Sequence, residues 1–380
     1  METLRIGFLN PFFYPFMGGT EKVLYEIGWR MVKRGHEIHV YAAKHKDKLK
    51  EQEEIKGMNV ERIDAHIVWN APPPLIPPFP MFRRFRESTR DFSKHVDALH
   101  VNNRFIFSYP QIRHLAGFKP VSLTIHNATP QNIDFLTDVG GFLHDRILLR
   151  LSYRYISGIT GITKAALDMS VPDYTGLKRI VWNGVDTKIF RGKKHTNGWL
   201  EIPRDKLIVL SNGRLVRQKG FEYLIKAMKG VNAQLVIFGR GPLENELKAL
   251  AKKEGVDVIF VTKTVSDEEL VDLINLADVF VLPSLYETFG MAVLEAMACG
   301  KAVVASNVHG LPEVIGDAGL TVTPRDVEGL RSAITLLLDD EKLRRSMERR
   351  ARERAEKYFS WDKITMQYEK FFKDVLSDQR

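Results

Sequence analysis

Short apolar runs and helical stripes alternate along most of this chain. Residues 4–9 (LRIGFL) form the first run, a strand by its length and flanks. Val23, Leu24, Ile27, Met31 and Val32 then recur at helical spacing, Gly35 stops the helix, and residues 38–43 resume as a strand. Further strands are predicted at 98–101, 121–125, 158–162 and 179–182, with helical stretches between several of them. From Leu207 the pattern starts again: strand 207–210, a glycine turn, a helix from Phe221, strand 235–238, a second glycine turn and another helix. Residues 280–283 and 301–306 read as two more strands. This alternation predicts an α/β chain with two doubly wound, parallel-sheet domains rather than one large sheet. The boundary is expected between Asn183 and Asp205, where a polar Lys-Lys-His-Thr-Asn-Gly segment interrupts the pattern. Residues 343–355 read as a highly charged helix, and Ser360 stands where it would cap a final amphipathic one.

One stretch fits neither period. Residues 69–86 carry six prolines within nine positions, which forbids helix and central strand and predicts an extended, polyproline-like loop. Its apolar residues, interleaved with Arg83, Arg84 and Arg86, suit a membrane surface or a lipid-linked phosphate. They suit equally a long crossover covering the first domain's core, with the arginines in solvent.

Composition narrows the class. The chain has 380 residues, enough for two cores, with 44% hydrophobic and 27% charged positions, as in ordinary globular proteins. No apolar run approaches the roughly 18–20 residues that span a bilayer. The first residues run straight into a strand without a signal-peptide core. The single cysteine, Cys299, excludes an intramolecular disulfide and a cysteine metal cluster. A cytoplasmic protein is expected, with peripheral contact at the inner membrane face as an option. Net charge is +9, and residues 1–185 hold 25 Lys and Arg against 18 Asp and Glu. That bias suits an acidic partner: a phosphorylated acceptor, an anionic membrane or nucleic acid. No nucleic-acid motif accompanies it, so nucleic acid is not expected.

The most informative segment is 284–310, SLYETFGMAVLEAMACGKAVVASNVHG. Glu287 and Glu295 flank a Thr-Phe-Gly turn that opens a helix between two strands. Backbone N–H groups of Phe289, Gly290 and Met291 would lack intrahelical partners and point at a bound phosphate. Carboxylates beside a phosphate site serve poorly as phosphate ligands and well as acceptors for sugar hydroxyls. Together they point to a nucleotide-sugar. The glutamate spacing alone is also what a solvated helix face shows. The flanking strands, the glycine turn and the small residues Ala292, Ala296 and Ala298 favour the site.

Other candidates follow the strand ends. Arg214 and Lys219, in the loop 213–220, can hold a diphosphate through a bidentate fork and a point charge, or can be solvated cations of a surface turn. Gly18 and Gly19 do not form a GxGxxG fingerprint. Adjacent glycines let a backbone approach a ligand closely, and the same residues read as a tight turn capped by Thr20. His126 follows strand 121–125 at its carboxyl end, where it can bond a sugar hydroxyl, stabilise developing charge, or sit satisfied and half-buried. His100 leans to the structural reading.

The segment 284–310 resembles the Glu-x7-Glu signature of retaining glycosyltransferases with the GT-B fold, specifically glycosyltransferase family 4. The resemblance implies two Rossmann-like domains facing each other across a cleft. It assigns residues 1–185 to an acceptor domain, 186–205 to a linker and 206–358 to a nucleotide-sugar domain, with residues 359–380 returning to the first. Asn183-Gly-Val-Asp, with Phe190, resembles the family's inter-domain linker. By the same resemblance Glu295 would hold the donor ribose and Glu287 would approach the transferring sugar. Arg214 and Lys219 would neutralise the leaving diphosphate, while Gly18 and Gly19 would reach it from the opposite domain. Gly239, in a Gly-x-Gly-Pro turn, would lie near the base, or be a plain loop residue. Family members also carry a His matching His126. The implied reaction moves a sugar from a nucleoside diphosphate-sugar to an acceptor hydroxyl (glycan, lipid-linked or small-molecule) with retained configuration and no metal or other cofactor. The chain departs from the family at 306–313, a stretch that usually reads Gly-Gly before Pro-Glu: Val308-His309 replaces the first part and only Gly310 remains, which alters the shape expected near the donor sugar. A GT-B nucleotide-sugar epimerase and a non-catalytic nucleotide-sugar-binding protein share the donor site and remain alternatives. An oxidoreductase is disfavoured by the missing fingerprint.

Overall fold

The computed structural model describes residues 3–68, 79–129, 135–193 and 206–377. They form two compact units, Met1–Gly184 with Trp361–Arg380, and Val185–Ser360. Residues 194–205 of the expected linker lie outside the described residues.

The first unit's strands are β1 (Arg5–Leu9), β2 (Glu37–Lys44), β3 (Gln52–Ile55), β4 (Met58–Val68), β5 (Phe79–Phe82), β6 (Ala98–Val101), β7 (Val121–Ile125), β8 (Gly158–Gly161) and β9 (Lys178–Ile180). They line up as β3-β4-β2-β1-β6-β7-β8-β9, with β5 added to β4. The pairs are parallel except those of β3 and β5 with β4. β6, β7 and β8 are buried at every position, as strands covered on both faces must be.

The described part of the proline segment differs from expectation. Residues 69–78 lie outside the described residues, but Phe79–Phe82 is a strand and Phe85–Ser93 a helix rather than polyproline-like loop. Pro80 is tolerated because β5 pairs on one side only, so its missing N–H breaks no second ladder. Phe82 and Phe85 turn inward, with ring centroids 5.3 and 6.1 Å from Tyr41, while Arg83, Arg84 and Arg86 are exposed.

The helix Trp361–Ser377 completes this unit. Trp361, Ile364, Tyr368, Phe371, Phe372 and Val375 are buried in one cluster with Ile6, Phe8, Leu24, Ile27 and Met31. Each such side chain contributes about 1.5–3 kcal/mol on leaving water. Gly184 is required here, since a Cβ would stand 2.5 Å from the Trp361 ring.

The second unit is a single parallel sheet. Its strands are β10 (Leu207–Asn212), β11 (Ala233–Phe238), β12 (Val258–Val261), β13 (Val279–Leu282), β14 (Ala302–Ser306) and β15 (Leu320–Val322), ordered β12-β11-β10-β13-β14-β15. This is the Rossmann order, and it reverses between β10 and β13. Connections leave β10 and β13 toward opposite edges, which opens a crevice at their carboxyl ends. In the first unit the same reversal falls between β1 and β6.

Candidate active site

Loops at the carboxyl ends of β10, β11, β13 and β14 meet at the second unit's switch point. Glycines set how closely they meet. A Cβ on Gly239 would lie 1.9 Å from the Gly213 oxygen, and one on Gly220 2.2 Å from the Pro283 oxygen. The Gln218 carbonyl accepts from the Leu285 N–H at 2.7 Å, which joins the β10 loop to the β13 loop.

These contacts bring together two residues 68 positions apart in sequence: Lys219 Nζ donates to Glu287 Oε2 at 2.5 Å. The side chains are 21% and 16% exposed, so the pair is partly shielded from water while still reachable. Arg214 is exposed on the same loop, with no ion-pair partner among the described residues. Arg217 turns away to Glu246 at 3.7 Å.

The helix Met291–Ala298 starts directly after this pair. Its N-cap is Gly290, at φ +91°, with no side-chain cap, so the leading N–H groups have no intrahelical acceptor. Met291 opens the helix and Glu295, one turn on, is half-buried. Phe289 can offer only its main chain, because its ring is buried with its centroid 6.0 Å from that of Phe359.

His309 completes the rim. It sits at φ +42°, a left-handed conformation natural to glycine, and its ring packs 4.7 Å from Tyr286. Burial holds its imidazole below the ordinary value, against the pull of Glu287. Buried polar atoms without partners gather here too: Ser211 Oγ, Asn212 Oδ1, Ser284 Oγ and His309 Nδ1. Buried polar atoms need a partner, and a polar ligand in this crevice would supply one. Ser211, Asn212 and Ser284 were not singled out from sequence; the available signal was a polar residue ending an otherwise apolar strand.

In the first unit, Gly18 is the N-cap of the helix Gly19–Lys33, and Thr20 lies inside that helix rather than capping it. The turn is held instead by Glu21, buried and accepting from Asn10 Nδ2 at 2.9 Å. His126 is buried, with Nε2 3.3 Å from Asn102 Oδ1. Burial, with Arg104 nearby, pushes its imidazole down to about 3, so it is neutral at pH 7 and acts as a hydrogen-bonding group rather than an acid. His100 is structural, bonded to Ser122 Oγ and Thr124 Oγ1 at 2.8 Å each.

Residues 17–189 match the family described as Glycosyltransferase Family 4, and residues 196–354 that described as Glycosyl transferases group 1. The chain belongs to glycosyltransferase family 4. This glycosyltransferase is similar to the N-acetyl-alpha-D-glucosaminyl L-malate synthase of Bacillus anthracis, with 26% identity over 97% of each chain. It is also similar to the phosphatidyl-myo-inositol mannosyltransferase of Mycolicibacterium smegmatis, 27% identical over 98% of this chain and 94% of that one. Its fold matches HepE from Anabaena, solved in complex with UDP, with a TM-score of 0.75, 19% identity and coverage of 97% of this chain and 100% of that one. The architecture is therefore GT-B, with two Rossmann-like domains. The glycosyltransferase is an EC 2.4 transferase that draws on a nucleotide-sugar donor, and the epimerase and non-catalytic readings fall. No helix among the described residues is long and apolar enough to cross a membrane.

Proposed function

We propose that this glycosyltransferase moves a sugar to an acceptor hydroxyl with retained anomeric configuration and without a metal. The observation that carries the reading is the Lys219–Glu287 contact at the switch point, beside the exposed Arg214 and the uncapped helix at Gly290. In this reading Lys219, Arg214 and the helix N-terminus stabilise the charge that grows on the leaving diphosphate. Glu295 accepts from the ribose hydroxyls, Glu287 faces the transferring sugar, and Gly239 lies near the base. In the first domain, Gly18, Gly19 and His126 are the residues this reading assigns to ligand contact. The bond from the anomeric carbon to the diphosphate oxygen breaks first, giving an oxocarbenium-like centre. The acceptor oxygen attacks from the same face, and the departing phosphate oxygen takes its proton. No protein base is assigned, in keeping with a His126 whose burial makes it a weak proton acceptor.

The acceptor class stays broad: glycan, lipid-linked or small-molecule. The two full-length relatives are named for a malate product and a phosphatidylinositol substrate, so both small and lipid acceptors occur among similar chains. Peripheral membrane contact is part of the proposal.

Thermal shift with UDP, GDP, ADP and NAD identifies the donor nucleotide, because binding at 100 times the dissociation constant adds about 2.7 kcal/mol. Transfer from the matching sugar nucleotide, with and without EDTA, is then followed by NMR of the anomeric proton. The donor's own anomeric configuration and full EDTA resistance are expected. An inverted product refutes retention, and loss of activity in EDTA restored by a divalent ion refutes metal independence.

A further inference from the structure

One helix of the first unit is built inside out. Three helical segments run end to end, Phe135–Leu143, a π-helical His144–Leu149 and Arg150–Ser152. Apart from Leu149, the buried positions are small or polar: Thr137, Gly141, Asp145 and Ser152. Large apolar residues take the exposed ones, with Phe135 79%, Phe142 51% and Ile147 51% exposed, joined by Leu136 and Leu143. The inversion is fixed by a buried ion pair. Arg104 grips Asp145 through two hydrogen bonds of 2.8 and 2.9 Å, and Thr129 Oγ1 adds a third at 2.7 Å. Rotating the helix to bury its apolar face would strand that guanidinium in the interior. The exposed face is therefore an enforced feature of the fold, and patches of this kind mark interaction sites.

The charges on the face select the partner. Arg146 and Arg150 border the apolar side chains, 46% and 61% exposed, and among the described residues share one ion-pair partner, Asp173, at 3.7 and 3.6 Å. Arg154 follows on the ring of Tyr155, and Arg146 lies 5.6 Å from the Phe142 ring. Apolar residues with arginines at their margin match the acyl–headgroup boundary of an anionic bilayer. A second copy of the chain would set these arginines against each other.

We propose that the exposed face of residues 135–154 docks this glycosyltransferase on an anionic lipid surface. The inference rests on the first unit's surface and not on the transfer chemistry. It places the membrane contact outside residues 79–86, where Phe82 and Phe85 pack against Tyr41.

The test is co-sedimentation of the full chain with phosphatidylcholine vesicles, with and without phosphatidylglycerol. The parent should bind the anionic vesicles, less so in high salt. The double variant Phe142→Ser with Ile147→Ser should lower partitioning by about tenfold or more, since two large side chains leave the interface. Arg150→Glu should weaken binding to the anionic vesicles alone. Solution size and the melting curve are recorded for each. Absence of parent binding overturns the proposal, as does undiminished binding by either variant. A parent dimer that the double variant dissociates, without vesicle binding, assigns the face to a second copy instead. Should the double variant fail to fold, Arg150→Glu decides by itself.

Discussion

Glu287→Gln is expected to tighten nucleoside diphosphate binding while it slows transfer. The Glu287 carboxylate accepts at 2.5 Å from Lys219, the cation this reading assigns to the diphosphate. A bound nucleotide must share or break that contact, and the substitution keeps the size of the side chain while removing its charge. The magnitude follows from burial. Fully exposed pairs contribute about 0–1 kcal/mol, and removal of one partner from a buried pair costs about 3–5. With side chains 21% and 16% exposed, the pair falls between, at about 1–2 kcal/mol in water-accessible surroundings. Released to the ligand, that is about a 5- to 30-fold gain in affinity. Transfer should fall by about a hundredfold or more, because the group facing the developing charge on the sugar is lost. Lys219→Met supplies the opposite control, weaker nucleotide binding. Isothermal calorimetry with the stabilising nucleoside diphosphate, beside the transfer rate, reads both. Weaker binding in Glu287→Gln together with unchanged binding in Lys219→Met would falsify the reasoning.

Two further expectations concern the framework. Gly220→Ala sets a Cβ 2.2 Å from the Pro283 oxygen at φ +63°, so left-handed strain and overpacking should cost about 2–4 kcal/mol. A urea midpoint equal to the parent's would mean the β10 and β13 loops are not held as described. Burial pushes His100 and His126 down to about 3 from an ordinary 6.5, so between those values the unfolded chain binds protons that the folded chain refuses. Stability contributed by each neutral imidazole is thus present above pH 6.5 and lost as pH falls, by about 1.4 kcal/mol per pH unit. Denaturation from pH 7 to 4 should show a slope shallower by one proton in His100→Gln, and an identical slope would refute the assignment.

Much of the fold was legible because parallel strands are buried on both faces. Ala98–Val101 and Val121–Ile125 have the limits read from their apolar runs alone. The β3–β4 hairpin was missed because Gln52–Ile55 has no buried position and its mate is half exposed, which leaves only a faint alternation. The helix 135–152 shows a different limit. Periodicity reveals that two faces differ, but only the Asp145–Arg104 contact decides which one turns inward. At the site, the residue types of Arg214, Lys219, Glu287 and Glu295 were readable from local motifs. The Lys219–Glu287 contact was not, since it depends on β10 lying beside β13. His309 could be flagged as unusual, yet its left-handed backbone follows from the packed loop and not from the residue type.

The helix Trp361–Ser377 has a bearing on how the protein is made. Its aromatic side chains fill the cluster around Phe8 and Met31, yet it leaves the ribosome after all of Val185–Ser360. At about 5–20 residues per second, the intervening unit alone takes about 10–35 s to emerge. During that time the sheet begun at Arg5 waits with a greasy groove open to solvent. The later-made unit is contiguous and needs nothing further. Nascent chains should therefore acquire protease-resistant structure in reverse order, the second unit first, with the first a client for chaperones until its final helix arrives.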